Sequence, residues 1–230
     1  MKITWIGQSG YKIDDKNTCI LIDPYLSDVV NKVANRPRLM NPPFSAKDFQ
    51  GDAVVCTHDH LDHLDIEAVP DFHQNITIIT PPSCAQKLKE LGRQKIKILH
   101  AGESVSVGAF TLTAVPAFHT VEAMGILLKW KEYTLYFTSD TLYDRRLEEM
   151  KRQKIDILFI CINGKLGNMN VDEAVRITKA IGPRVGVPTH YGMFASNTED
   201  PKKYTSQIKN SFEMQYNQAY EITEILEASI

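Results

Sequence analysis

A chain of 230 residues with 43% hydrophobic and 23% charged residues has the make-up of a globular protein rather than a disordered or fibrous one. At that length roughly 70% or more of the unfolded surface can be buried. The balance of 26 basic against 28 acidic residues, a formal charge of -2, offers no polybasic field for nucleic acid or an anionic membrane.

In chain order, KITWI, GYKI and TCILID read as short strands separated by glycine and by a turn at Lys16-Asn17. The start MKITWIGQSG lacks the apolar core and small-residue cleavage site of a secretory leader, so a cytoplasmic protein is expected. Residues 24–43, PYLSDVVNKVANRPRLMNPP, follow no periodicity and are expected to form a functional loop. Next come DAVVCT as a buried strand, a helix from Asp65 to about Phe72, ITIIT as a strand, and SCAQKLKELG as a helix capped by Ser83 and stopped by Gly92.

The second half repeats the order. ESVSV, FTLTAVPA, MGILLKW and YTLYFTS read as strands, TLYDRRLEEMKRQ as a helix and DILFICI as a buried strand. The last of these holds the apolar run ILFICI, far short of the ~20 residues that span a bilayer. NVDEAVRITKAIG sets Asn170 and Glu173 at capping-box spacing with Gly182 at the stop, which predicts a helix. RVGVPTHY is a last core strand, DPKKYTSQIKNSF a helix with proline at its first position, and YEITEILEA the closing element. Strands then helices, twice over, predict an α/β (α+β) chain of two similar halves, one domain spanning residues 1–230. Cys19, Cys56, Cys84 and Cys161 are scattered without a C-x-x-C pair and read as buried thiols.

The chemistry concentrates in CTHDHLDH, residues 56–63, which packs three histidines and two aspartates into six positions at a strand end. Imidazole and carboxylate suit zinc, manganese or iron(II), and so many ionisable groups packed together without a cation would repel or desolvate one another. His58 and His60 are expected to meet one ion, Asp62 and His63 another. Four ligands do not complete two sites, and the chain supplies His119, Asp140 and His190, each just past the end of an apolar strand. Taken singly, each reads as a turn or surface residue; with the cluster they make one rim of a sheet sandwich.

THDHLDH, AFHT, SDTLYD and PTHY together resemble the metallo-β-lactamase superfamily, which implies a four-layer αββα sandwich with a dinuclear metal site at one rim. Within it, WIGQSG, DPYLSD, NPPFSAKDF, INGKLGNMN and THYGMF resemble the L-ascorbate-6-phosphate lactonase family. The resemblance implies His58, His60 and His119 as ligands of the first metal, Asp62, His63 and His190 of the second, and Asp140 bridging both. It also implies manganese or zinc, with iron compatible with the same donors. Two cations about 3.5 to 4 Å apart can share a carboxylate and a hydroxide, the expected nucleophile. Asp62 is the candidate to receive or pass a proton, so Asp62 and Asp140 are the expected catalytic carboxylates.

Around that rim, Asp23 and Asp59 are candidates to hold ligating imidazoles by hydrogen bonds. Arg36, Arg38, Asn163, Lys165, Asn168, Tyr191 and Asn197 could bind a phosphate and sugar hydroxyls; of these Arg38, Asn163, Lys165 and Tyr191 are the expected substrate contacts. His73 and His100 have no partners in the pattern and read as surface residues. The expected protein is a metal-dependent lactonase acting on a small molecule such as ascorbate 6-phosphate, with no nucleic acid or membrane partner. Members of such families often assemble, so a homo-oligomer is expected. A dinuclear phosphodiesterase or nuclease, or a non-catalytic metal- or ligand-binding module, are the competing readings.

Overall fold

The computed structural model describes residues 1–227. The chain opens with β1 (Lys2–Gly7), β2 (Gly10–Asp14), β3 (Cys19–Ile22), β4 (Ala53–Val55), β5 (Thr77–Thr80) and β6 (Ile96–Ile98). It continues with β7 (Ser104–Val107), β8 (Phe110–Pro116), β9 (Met124–Trp130), β10 (Tyr133–Phe137), β11 (Ile157–Cys161) and β12 (Val185–Thr189), and β13 (Ala219–Glu221) returns to the start. These strands form two sheets, in the orders β13-β1-β2-β3-β4-β5-β6 and β12-β11-β10-β9-β8-β7. The two-sheet sandwich expected from the sequence is therefore the architecture found.

Period-two alternation explains the layering. Ile20, Ile22, Ala53, Val55 and Ile79 face the core shared with the second sheet, whereas Leu21, Val54, Cys56 and Ile78 face an outer cluster with Leu64, Val69, Phe72 and Leu88. Leu88 belongs to α2 (Pro82–Glu90). Both faces of β11 are buried, and α3 (Val171–Ile181) packs beside it.

Strand direction decides where the site lies. The pairs β3/β4, β4/β5, β10/β11 and β11/β12 are parallel. Two antiparallel steps relate β8 to β10 and β1 to β3, so these run the same way as their neighbours. The C-terminal ends of β1, β3 and β4 thus share one edge of the first sheet, and those of β8, β10, β11 and β12 one edge of the second. Backbone hydrogen bonds tie the edges together, Met124 N–H to the Thr57 carbonyl at 3.1 Å and His190 N–H to the Gln8 carbonyl at 3.1 Å.

Helical expectations fare unevenly. The capping box at Asn170 and Glu173 and the left-handed Gly182 are present at α3. The predicted helix over 65–72 is instead a set of turns with a 3-10 segment at Val69–Asp71. Pro70 supplies no N–H, and the Asp65 carboxylate accepts from Leu26, Ser27 and Ala68 N–H groups, competing with helical bonds. Ser83 lies inside α2, which Pro82 opens, and its N–H is met by Glu122 at 2.8 Å. The stretch after Asp144 is a 3-10 helix, Arg145–Gln153.

Residues 24–43 are not wholly irregular, since α1 (Val29–Ala34) lies within them. The predicted helix beginning at Asp200 shrinks to α4 (Lys202–Thr205), because the chain beyond it runs along β12, where Gly186 N–H bonds the Asn210 carbonyl and Phe212 N–H the Gly186 carbonyl. The closing stretch YEITEILEA forms the end of β13 and α5 (Ile222–Glu227); its last residue, Ala228, lies outside the described residues. No helix among the described residues is long and apolar enough to cross a membrane.

Candidate metal centre

At the shared edge the strands hand over to loops through residues in the left-handed region. Gln8 after β1, Asp23 after β3, Ser139 after β10 and His190 after β12 have φ of 53°, 44°, 58° and 64°. Non-glycine residues seldom adopt such angles, and their concentration here marks a site where surrounding bonds over-determine the backbone.

Two groups of donors converge there. His58, His60, His119 and Asp140 form one, and Asp62, His63 and His190 the other, each with donor atoms within 4.8 Å of one another. His58 Nε2 and His119 Nε2 both lie 3.1 Å from His60 Nδ1. Asp140 stands between the groups, with His190 Nε2 at 3.1 Å, His63 Nε2 at 3.3 Å and His119 Nε2 at 3.9 Å.

The donor set fits divalent cations. Three imidazoles turn nitrogens toward one point, and the buried His63 Nε2 and Asp140 Oδ1 complete no hydrogen bond despite their proximity. Buried polar atoms without partners are costly in a folded protein unless something else meets them. Burial and the neighbouring His63 push the His58 ring below the usual histidine range, and burial likewise lowers His119; both favour the neutral, ligating form. Burial opposes the charged form of His63 as well, but Asp140, Asp23 and Asp62 outweigh it and raise the group well above the ordinary value. Burial would raise Asp140, yet His190 and His63 hold it well below the carboxylate range.

A second layer of bonds fixes these rings. Asp23 Oδ2 lies 2.8 Å from His63 Nδ1 and accepts the Thr57 hydroxyl at 2.7 Å, while Thr57 Oγ1 is 3.2 Å from His58 Nδ1. Ser139 Oγ donates to that hydroxyl at 2.6 Å. His119 Nδ1 is paired with the Gly167 carbonyl at 2.9 Å, which turns Nε2 toward His60. Asn168 Nδ2 donates to Asp140 Oδ2 at 2.8 Å.

Residues 18–191 match the family model for the beta-lactamase superfamily domain. The chain belongs to the beta-lactamase superfamily. Among relatives of this superfamily member, a UPF0173 metal-dependent hydrolase of Oenococcus oeni is 29% identical over 226 residues, covering 90% of this chain and 93% of that one. Two solved structures share the fold: a metallo hydrolase of Ignicoccus hospitalis (TM-score 0.78, 20% identity, 96% of this chain and 98% of that one), and an isothiocyanate hydrolase from Delia radicum gut bacteria (TM-score 0.81, 19% identity, 96% and 99%).

In this superfamily member a cavity of about 440 Å³ opens over the two groups. His60, Asp62, Asp140 and His190 line its floor, and Val30, Ala34, Leu61, Leu166 and Phe194 make much of its wall. Arg36 is the one Lys or Arg among the described residues that lines it; Thr120 and Asn197 add polar groups.

Several candidates from the sequence lie elsewhere. The Arg38 guanidinium is spent on the carbonyls of Met40, Ser27 and Tyr25 and stacks over the Tyr25 ring, because the loop before it needs donors for its free carbonyls. Tyr191 is buried against Trp5, ring centres 4.8 Å apart. Lys165 is exposed and bonds the Ser196 carbonyl at 3.2 Å. Asp59 is exposed at the bend between the more buried His58 and His60, and is therefore not among the groups that hold the imidazoles.

Asn163 is buried outside the cavity lining and ties two loops through Asn197 Oδ1 at 2.8 Å. His73 and His100 are exposed. Sequence reasoning missed Thr57, Ser139, Gly167 and the apolar wall, whose residue types carry no signal until the loops are packed together.

Proposed function

We propose that this metal-dependent hydrolase opens the ring of a small lactone that carries an apolar body and one anionic substituent. The observation behind this reading is the pair of donor groups joined by Asp140 beneath a single cavity with mostly apolar walls and one guanidinium. His58, His60 and His119 with Asp140 would hold one ion, and Asp62, His63 and His190 with the same carboxylate a second; manganese, zinc and iron(II) all suit these donors. Bound there, divalent ions supply Lewis acidity toward a carbonyl oxygen and lower the pKa of water toward neutrality.

The remaining work falls to the chain's own residues. Val30, Ala34, Leu61, Leu166 and Phe194 exclude water and hold the apolar part of the substrate. Arg36 pairs with its anionic group, and Asn197 adds a polar contact. Asp62, part-exposed on the cavity floor, takes up or returns a proton as the ring oxygen leaves. A phosphorylated sugar lactone, L-ascorbate 6-phosphate in particular, draws support from Arg36 and Asn197, while Arg38, Lys165 and Tyr191 lend it none.

The test is base uptake in a pH-stat by manganese-loaded protein offered ascorbate 6-phosphate, an apolar γ-lactone and bis(p-nitrophenyl) phosphate, with His119→Ala as the blank. Metal-dependent ring opening of either lactone supports the reading. Faster cleavage of the phosphodiester than of both lactones replaces it with a phosphodiesterase, and metal binding without any turnover replaces it with a binding module.

A further inference from the structure

Gln8 sits at the end of β1, where the pairing with β2 is irregular between Trp5 and Gly7. Such an irregularity re-aims the side chain that follows. Gln8 is fully buried, and its amide Nε2 lies 2.9 Å from Asp62 Oδ2 and 3.3 and 3.2 Å from the two ring nitrogens of His190. The amide reaches two members of the second donor group at once.

Three features argue that the placement is built. The backbone is held at φ 53°, against the preference of a side chain of this kind. What holds it is its own carbonyl, which accepts from Trp5 Nε1 at 2.9 Å, Thr189 Oγ1 at 3.0 Å and His190 N–H at 3.1 Å. Lastly, Gln8 Oε1 is buried without a partner, a penalty tolerated while Nε2 keeps its contact with the carboxylate. The opposite amide orientation would set oxygen against an acceptor-only carboxylate, so chemistry selects the one in which nitrogen faces Asp62. Among the described residues Gln8 is the one hydrogen-bond donor to the Asp62 side chain, which otherwise has only the His63 and His190 nitrogens at 3.9 and 3.8 Å.

We propose that Gln8 is a positioning residue that fixes the Asp62 carboxylate and thereby sets the affinity of the second ion, the one held by Asp62, His63 and His190. The inference rests on the two-ion reading given above, but not on the identity of the substrate. Without the amide N–H, Asp62 is free to rotate about its side-chain torsions, and a ligand group that must be ordered on binding holds its ion less tightly.

The experiment is a two-step titration of metal-free protein with Mn²⁺, read by calorimetry and by competition with a chromophoric chelator, on the unmutated protein, Gln8→Met, Gln8→Leu and Gln8→His. Met and Leu keep much of the bulk and remove the donor without adding a charge or a carboxylate ligand; histidine restores an N–H at similar reach. The expected result is a second ion bound about 10–100-fold more weakly in Gln8→Met and Gln8→Leu, a first ion within about twofold of unmutated affinity, and recovery in Gln8→His.

Unchanged second-ion affinity in both donor-free variants would overturn the inference while leaving two ions bound. Equal weakening of both ions without recovery in Gln8→His would assign Gln8 to packing and overturn it too. Uptake of a single ion by the unmutated protein would sink the two-ion reading and this inference with it. Should Gln8→Met lose its circular dichroism signal, Gln8→Leu, which also lacks a donor, decides.

Discussion

Gly167→Ala tests whether the loop after β11 fixes the proposed ligand His119. At φ 92° the glycine occupies a region that side-chain-bearing residues rarely adopt. A Cβ built there would stand 2.9 Å from His119 Cε1 and Nδ1 and 2.9 Å from Thr120 Cγ2. The same residue's carbonyl is paired with His119 Nδ1 at 2.9 Å, so the methyl group crowds the ring at the nitrogen whose bond orients it.

Backbone strain costs about 1–2 kcal/mol, which in a chain of this length lowers Tm by roughly 2–8 °C. The imidazole moves by several tenths of an ångström to restore ordinary contact, and loss of such an orienting bond weakens metal binding about 10–100-fold. Differential scanning fluorimetry of the metal-free protein reads the first effect and chelator competition the second. A variant with the lowered Tm but unmutated metal affinity would refute the reasoning, because the strain would then have been absorbed without moving His119.

The two nearby arginines should separate cleanly. Arg36→Ala is expected to raise KM for an anionic substrate about tenfold or more with Tm unchanged, since its side chain lines the cavity. Arg38→Ala should leave KM alone and cost about 1–3 kcal/mol of stability by stripping donors from three backbone carbonyls; steady-state kinetics and urea unfolding check both. Tyr191→Phe, altered only at a hydroxyl away from the cavity lining, should keep kcat and KM within about twofold of the unmutated values in the same assay.

Burial pushes the thiols of Cys19 and Cys84 up to about 11 and that of Cys161 up to about 12. At pH 8 about one thiol in a thousand or fewer with such a pKa is ionised, so a disulfide reagent should label the native protein slowly and all four cysteines at once in guanidinium. Because the unfolded thiols ionise first, stability should fall as pH rises above about 9 and be insensitive to these groups below it; chemical denaturation at pH 8 and pH 10 measures the difference.

Much of the site can be read from residue types and spacing. His58, His60, Asp62 and His63 are adjacent in the chain, and His119, Asp140 and His190 each follow an apolar run, so strand ends and metal-compatible donors are visible without coordinates. Capping at Asn170, Glu173 and Gly182 is equally local, since each bond spans at most a few residues. The helix expected at residues 65–72 failed for the converse reason: Asp65 is drawn to the backbone of Leu26 and Ser27, nearly forty positions away.

The sequence by itself determined the donors, the strands that carry them and the buried faces those strands present, because these follow from local chemistry and a period of two. Only the tertiary structure decided which neighbours the donors meet. Pairing of distant segments places Gln8 against His190, Asp23 against His63 and Gly167 against His119. It also turned Arg36 into the cavity while Arg38, two residues on, was consumed by backbone carbonyls. No pattern of residue types separates those two arginines, since the difference lies in which unsatisfied acceptors the folded loop leaves within reach.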